Sequence, residues 1–329
     1  MEMPLRLINV MDRFHNNCLL VVTALMSLII SALPAQEEYT VRYYTSEYQK
    51  SFPGLSQNWV YSVLQDRQGL IWIGTWDGLN RFDGYSFKSY SISDGLPDHT
   101  INDIIEDSGG RLWLATQNGL SCFDPETATF RNFTHFPVDT TSLFAGRINV
   151  IEKDTGNTLW LGTGAGLVRF SIDNFSSMGF FTAPQDYTSP KSNYILDILA
   201  DDSLLWIGTT FGLVIFNKIS GKSTRYYHRP GDPNSLPGNN IRSLLHDNNG
   251  NYWIGTSSGI AVCRNPGGPY RIYDKPDFGA KEEKRFFVRD IYQDRQGAFG
   301  QVRTTTDCSC MTRYRMISGR SGGAVISWA

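Results

Sequence analysis

One ten-residue string recurs five times along this 329-residue chain: "LIWIGTWDGL" (70–79), "RLWLATQNGL" (111–120), "TLWLGTGAGL" (158–167), "LLWIGTTFGL" (204–213) and "NYWIGTSSGI" (251–260). Its tryptophans, Trp72, Trp113, Trp160, Trp206 and Trp253, are spaced by 41, 47, 46 and 47 residues. A period in the forties marks stacked supersecondary units, which restricts the fold to a helical solenoid of the HEAT or armadillo kind or to a β-propeller. The units alternate with period two, are dense in Gly, Thr, Tyr and Trp, and hold no long stretch of helical periodicity, so the solenoid fails.

Each unit carries four strand signals. In the first, "WVYSVLQ" (59–65) is β-branched and aromatic, and "DRQG" (66–69) is a turn opened by Asp and closed by Gly. "LIWIGT" (70–75), "GLNRFD" (78–83) and "YSFKSY" (85–90) follow across tight connections. Four short antiparallel strands make one twisted sheet that cannot bury both faces alone, and radial stacking about an axis covers them. Tryptophan then fills the space between neighbouring blades. The glycine after it, at Gly74, Gly162, Gly208 and Gly255, lets another backbone approach. The glycine of Gly-Leu permits a positive φ where two residues reverse the chain. The expectation is an all-β propeller of five complete blades and a partial sixth, the packing residues having no ligand role.

At "LSQNWVYSVLQDRQGLIWIGTWDGLNRFDGYSFKSY" (55–90) the chain resembles the regulator-propeller repeat of extracytoplasmic sensors in hybrid two-component systems. The resemblance runs from Tyr39 to Phe299. It implies a periplasmic input module. Full-length members join a signal sequence, two seven-bladed propellers, an immunoglobulin-like domain, a membrane span, a kinase, a receiver and a DNA-binding domain, act as dimers, and commonly sense oligosaccharides. No phosphoacceptor histidine, ATP-binding box or receiver aspartate cluster follows the repeats here, so the expectation is the amino-terminal piece of such a sensor without enzymatic activity.

The two ends carry their own expectations. Residues 1–35 read as a signal peptide or amino-terminal anchor: Arg6 and Arg13 precede the apolar run "CLLVVTALMSLIISAL" and the small residue Ala35. The propeller occupies 36–299, and the bulk of the chain is expected outside the cytoplasm. "YTVRYYT" (39–45) resembles a fourth strand with no partners before it. "VRDIYQDRQGAF" (288–299) opens a sixth unit in register, but Gly300 stands where tryptophan is due. Loss of one base from a Trp-Ala-Gly-Thr coding string yields Gly300-Gln301-Val302-Arg303, so 300–329 is read as a frameshifted tail. The ring of a seven-bladed relative would then stay open, giving an arc of poor solubility.

Composition narrows the functional classes. Net charge is −2, with neither basic blocks nor an acidic tail, which argues against nucleic acid. The membrane is implicated only through the amino-terminal segment. Cysteines at 18, 122, 263, 308 and 310 form no disulfide framework, and the histidines at 15, 99, 135, 228 and 246 lack metal-ligand spacing, so no metal or cofactor is expected. "DRQGLIW" is similar to the Asp-box turn of sialidases, a structural motif, and no nucleophile pair accompanies it.

Recognition is expected on the face that carries the connection between second and third strands and the one leading to the next blade. The first set is the template's variable pairs, Trp76-Asp77, Gln117-Asn118, Gly164-Ala165, Thr210-Phe211 and Ser257-Ser258; the second includes 93–100, 137–146, 184–193 and 229–239. Flat aromatic faces beside planar hydrogen-bonding groups suit a sugar, and Trp76, Asp77, Gln117, Asn118, Tyr187 and Phe211 supply that mixture. A propeller glycosidase or lyase, and a purely structural interaction module, are the alternatives to an oligosaccharide-binding sensor.

Overall fold

The computed structural model describes residues 54–135, 143, 145–180, 194–273, 287–293, 299–304 and 312–317. The segment 1–35, the strand expected at 39–45 and Tyr187 lie outside them. Five four-stranded antiparallel meanders follow one another in chain order. Blade 1 comprises β1 (Val60–Gln65), β2 (Ile71–Thr75), β3 (Gly78–Phe82) and β4 (Phe87–Tyr90). Later blades repeat it from their own first strands: β5 (Ile101–Glu106), β9 (Ile148–Lys153), β13 (Ile195–Asp201) and β17 (Ile241–His246). A sixth sheet holds β21 (Phe287–Gln293), β22 (Phe299–Thr304) and β23 (Thr312–Ile317). The sequence beyond Phe299 has no strand template, yet β22 and β23 extend this sheet. A free strand edge offers N–H and C=O groups to any extended backbone.

Tryptophan wedges join the blades. Trp72 packs with Ile101, Ile104 and Phe123 of the next blade, and Trp113 with Ile148, Ile151 and Phe170. Trp160 meets Ile195, Ile198 and Phe216, and Trp206 meets Ile241, Leu244 and Tyr252. The aspartate six residues before the tryptophan locks the wedge: the indole Nε1 donates to Asp66 (2.8 Å), Asp107 (3.0 Å), Asp154 (2.8 Å) and Asp247 (2.8 Å) in four blades. The same aspartates accept main-chain N–H groups of their own turn, as Asp66 does from Gln68 and Leu70. Blade 4 breaks the rule. Its turn is one residue shorter, Ala200 stands six before Trp206, and the buried indole Nε1 of Trp206 has no hydrogen-bond partner among the described residues. Trp206 stacks on Tyr252 instead, ring centroids 4.0 Å apart.

The glycine after the tryptophan admits the next hub strand, by backbone at Gly208, where a Cβ would lie 2.9 Å from the Ile241 carbonyl oxygen, and by side chain elsewhere. A Cβ on Gly162 would lie 2.5 Å from both Ile195 Cγ2 of the next hub strand and Val150 Cγ1 of its own blade. Blade 2 carries Ala115 at this position, fully buried. At the Gly-Leu turn the expected positive φ is present, 111° at Gly119, where a Cβ would collide with the carbonyl oxygen of Phe133.

Each blade packs on its successor through the successor's first strand, so these strands line a common hub. The covered residues are Ile101 and Ile104, Ile148 and Ile151, Ile195 and Ile198, Ile241 and Leu244, and Val288 and Ile291, all buried. Their counterparts in blade 1, Val60 and Val63, are 41% and 62% exposed. The arc is open on that side.

Candidate functional site

The repeated threonine builds the platform. Thr75 Oγ1 donates to the Gly78 carbonyl (3.0 Å) and accepts from the Asp77 amide (3.1 Å), pinning a two-residue tip between β2 and β3. Thr116, Thr163, Thr209 and Thr256 make the same pair of bonds in their blades. Only the tip residues are left free to vary. The tips share a face with the incoming connections, because Gly78 N donates to the His99 carbonyl (2.6 Å) and Gly212 N to that of Asn239 (2.5 Å).

Trp76 is 51% exposed and forms the centre of an aromatic surface. Trp59 meets it edge-on at 5.7 Å and Tyr61 lies tilted at 6.4 Å. Beside them the Asp77 carboxylate pairs with His99 Nδ1 at 2.8 Å, both side chains open to solvent. On the next blade Gln117 Nε2 reaches Asn102 Oδ1 (3.4 Å), and Asn118 Nδ2 reaches the Pro97 carbonyl (3.4 Å). Phe211, two blades further round, packs edge-on against Tyr227 (5.4 Å), and Arg225 donates to the Phe211 carbonyl (2.9 Å). The structure thus groups Trp76 with Asp77 and makes Phe211 the centre of a separate aromatic pair.

Trp59, Tyr61, His99 and Tyr227 join these groups without having been singled out. Trp59 and Tyr61 sit in a β-branched and aromatic run that reads as strand without telling which side chains meet the tip. Tyr61 stands where later blades carry Asn102, Asn149 and Arg242, and both aromatic rings are exposed beside Trp76.

The hub below is acidic and short of solvent. Burial pushes the Asp103 carboxyl up to about 6, against main-chain hydrogen bonds from Ile151 and Ile104 that pull it down. Burial likewise raises Glu152 to about 7 and Asp197 well above the usual range. Both hold adjacent hub strands together: Glu152 accepts from Ala200 N (2.9 Å), Asp197 from Leu244 N (2.6 Å). Because the folded chain holds protons that the unfolded chain releases near pH 4, stability falls as pH rises from about 4 to about 7. The melting temperature is expected to be lower at pH 7.5 than at pH 5, and Asp103→Asn with Glu152→Gln to flatten the difference. A melting temperature that climbs through this window, and is unmoved by the substitutions, would contradict the assignment.

Among the described residues no cluster of three or more His, Cys, Asp or Glu side chains is arranged to hold a metal ion. Cys122 and Cys263 are buried thiols pushed up by desolvation to about 11 and about 12, which leaves them unreactive near neutrality. No helix among the described residues is long and apolar enough to cross a membrane.

Comparison with known proteins agrees with the repeat. The two-component regulator propeller family matches residues 54–77, 95–118 and 235–258. A 37-residue stretch is 57% identical to histidine kinase P4 of Formosa agariphila, covering 11% of this chain and 3% of that protein. The extracellular domain of the hybrid two-component system BT3049 from B. thetaiotaomicron superposes with a TM-score of 0.66 at 25% identity, over 84% of this chain and 36% of its own. PorZ, a surface component of the type-IX secretion system of Porphyromonas gingivalis, shares the fold at 14% identity and a TM-score of 0.60, over 82% of this chain and 41% of its own. This chain therefore spans about a third of the length of the sensor domain it resembles. In its sequence repeats and in its blades, the chain is similar to two-component regulator propeller proteins.

Proposed function

We propose that this chain is the extracytoplasmic ligand-sensing part of a two-component sensor, and that the tip face binds an oligosaccharide without transforming it. The likeness to the extracellular domain of a hybrid two-component system supports the sensor reading. The observation that carries the ligand reading is Trp76: a half-exposed indole at a position the template leaves free, flanked by Trp59 and Tyr61 and next to the Asp77–His99 pair. A sugar ring lays its C–H face on an aromatic plane while carboxylate and imidazole take its hydroxyls, and such pockets combine apolar walls with few, placed polar groups.

Trp76→Ala is expected to weaken binding of a cognate glycan at least tenfold, ~1.4 kcal/mol, with no change in melting temperature. A glycan array followed by calorimetric titration measures it. Unaltered affinity in the variant would remove Trp76 from the site, and turnover of a chromogenic glycoside would replace binding with hydrolysis.

A further inference from the structure

The blades share one frame, so their residues correspond one to one. The register of the first strand slips at a β-bulge between Val60 and Ser62 in blade 1, and likewise between Ile101 and Asp103, Ile195 and Asp197, Ile241 and Ser243, and Val288 and Asp290. A bulge leaves one residue unpaired and re-aims its side chain. Cross-strand rows coincide as well: Trp113 faces Cys122 and Cys122 faces Arg131 in blade 2, while Trp253 faces Val262 and Val262 faces Arg271 in blade 5.

Blade 2 shows what such a row receives. Phe133 stacks on Trp113 with ring centroids 6.0 Å apart, and the Arg131 guanidinium lies 5.3 Å over the Phe133 ring. The turn between the third and fourth strands of blade 3 reaches back and lays Phe175 on this group, 3.8 Å from the guanidinium and 5.3 Å from Phe133. A cation between two rings, one from each blade, closes the outer part of the contact.

Blade 5 carries half of that arrangement. Tyr273 stacks on Trp253 at 6.1 Å, and Arg271 lies 5.0 Å over the Tyr273 ring. A cavity of about 620 Å³ opens beside them, lined among others by Trp253, Tyr273, Arg271, Arg264 and Asn251. Arg264 and Arg271 are exposed, and among the described residues no carboxylate lies within ion-pair distance of either. The sixth sheet has three strands among the described residues, and so no turn between a third and a fourth strand to lay in this slot.

Blade 1 carries the other half. Its turn between third and fourth strands, 83–86, presents Tyr85, 94% exposed, immediately before Ser86, as Phe175 stands immediately before Ser176. The blade 3 turn is two residues longer, and both are closed by one main-chain bond, Asp83 N to the Ser86 carbonyl (3.4 Å) and Ser171 N to that of Ser176 (2.9 Å). Asp83 accepts from the amides of Tyr85 (2.9 Å) and Ser86 (2.7 Å) and from Ser86 Oγ (3.0 Å), and these bonds hold its carboxyl below the usual range. A charged carboxylate therefore stands beside the protruding ring.

We propose that the partner of the blade 5 cavity is a second copy of this chain, whose Tyr85 ring lies on Arg271 as Phe175 lies on Arg131, with its Asp83 paired to Arg264. Finger and slot are different surfaces, so the contact is heterologous and copies join head to tail. Aromatic stacking on the guanidinium and the ion pair at the rim supply its specificity.

Sedimentation velocity of the full chain over a wide range of concentration tests it. The average mass is expected to rise past that of a dimer, and Tyr85→Ser or Arg271→Ser alone to weaken association at least tenfold with the melting temperature unchanged, while Tyr85→Phe associates like the unsubstituted chain. If Arg271→Ser does not fold, Arg264→Glu, which sets two carboxylates against each other, serves in its place. Mixing the Tyr85→Ser and Arg271→Ser chains leaves one intact finger and one intact slot, and is expected to give dimers and nothing larger. A chain that stays monomeric throughout, a mixture that forms no dimer, or association that survives both substitutions and is lost only in Val63→Lys overturns the inference.

Discussion

Trp113→Ala is expected to cost about 3–5 kcal/mol, enough to unfold much of the chain at ambient temperature, because a fully buried indole between two blades leaves a cavity that rigid sheets cannot close. The more discriminating variant is Trp113→Phe. It keeps most of the apolar contact but strips the buried Asp107 carboxylate of the indole N–H at 3.0 Å, for an expected loss of about 1–3 kcal/mol beyond the smaller ring volume. That carboxylate is pushed up by burial, and the hydrogen bonds from Trp113 and Arg111 outweigh this and hold it below the usual range, so they are bonds to a charged acceptor. In blade 4 the same change, Trp206→Phe, deletes an N–H with no partner and is expected to be the milder of the two. Denaturant titration of the two Phe variants measures the difference. Equal losses would mean the Asp–Trp lock contributes nothing to the wedge.

The second large effect comes from the hub strands. Ile151 is 2% exposed and Val63, its counterpart in blade 1, is 62% exposed. Ile151→Lys places an ammonium between Trp113 and Phe170 with no partner, and is expected to prevent folding. Val63→Lys is expected to change stability by no more than about 0.5 kcal/mol and to reduce self-association, since it breaks an exposed apolar strip. Circular dichroism with light scattering separates these outcomes. A Val63→Lys variant that unfolds as readily as Ile151→Lys would show that the first blade's face is covered in solution.

Much of this architecture was legible because it is repeated. Five copies of one string declare the strands, the tryptophan wedge and the positive-φ glycine at once. The threonine is equally regular, and its role became visible only through the two bonds each one makes at the tip. The bulges escaped the sequence altogether. A single extra residue in a six-residue strand does not disturb a period-two pattern enough to be seen, although it leaves Asn102 and Arg242 at the register slips of their strands. Blade 4 escaped for a related reason: its shortened turn leaves Trp206 in register while removing the aspartate that holds the other indoles. Of the site, Trp76, Asp77 and Phe211 were readable as variable tips. Trp59 and Tyr61 were not, because nothing in a β-branched and aromatic run tells that these two side chains meet the tip residue Trp76.

The central claim is that invariant residues wedge the blades and do nothing else, while tips and bulges on that frame read a ligand. Hydrogen–deuterium exchange of the full chain, with and without a saturating glycan, tests this most directly. Protection is expected at the tips around Trp76 and Gln117 and at the hub segments 59–62 and 100–103, with the tryptophan strands unchanged. Protection confined to the outer strands, such as β4, or spread evenly over the tryptophan strands, would contradict it.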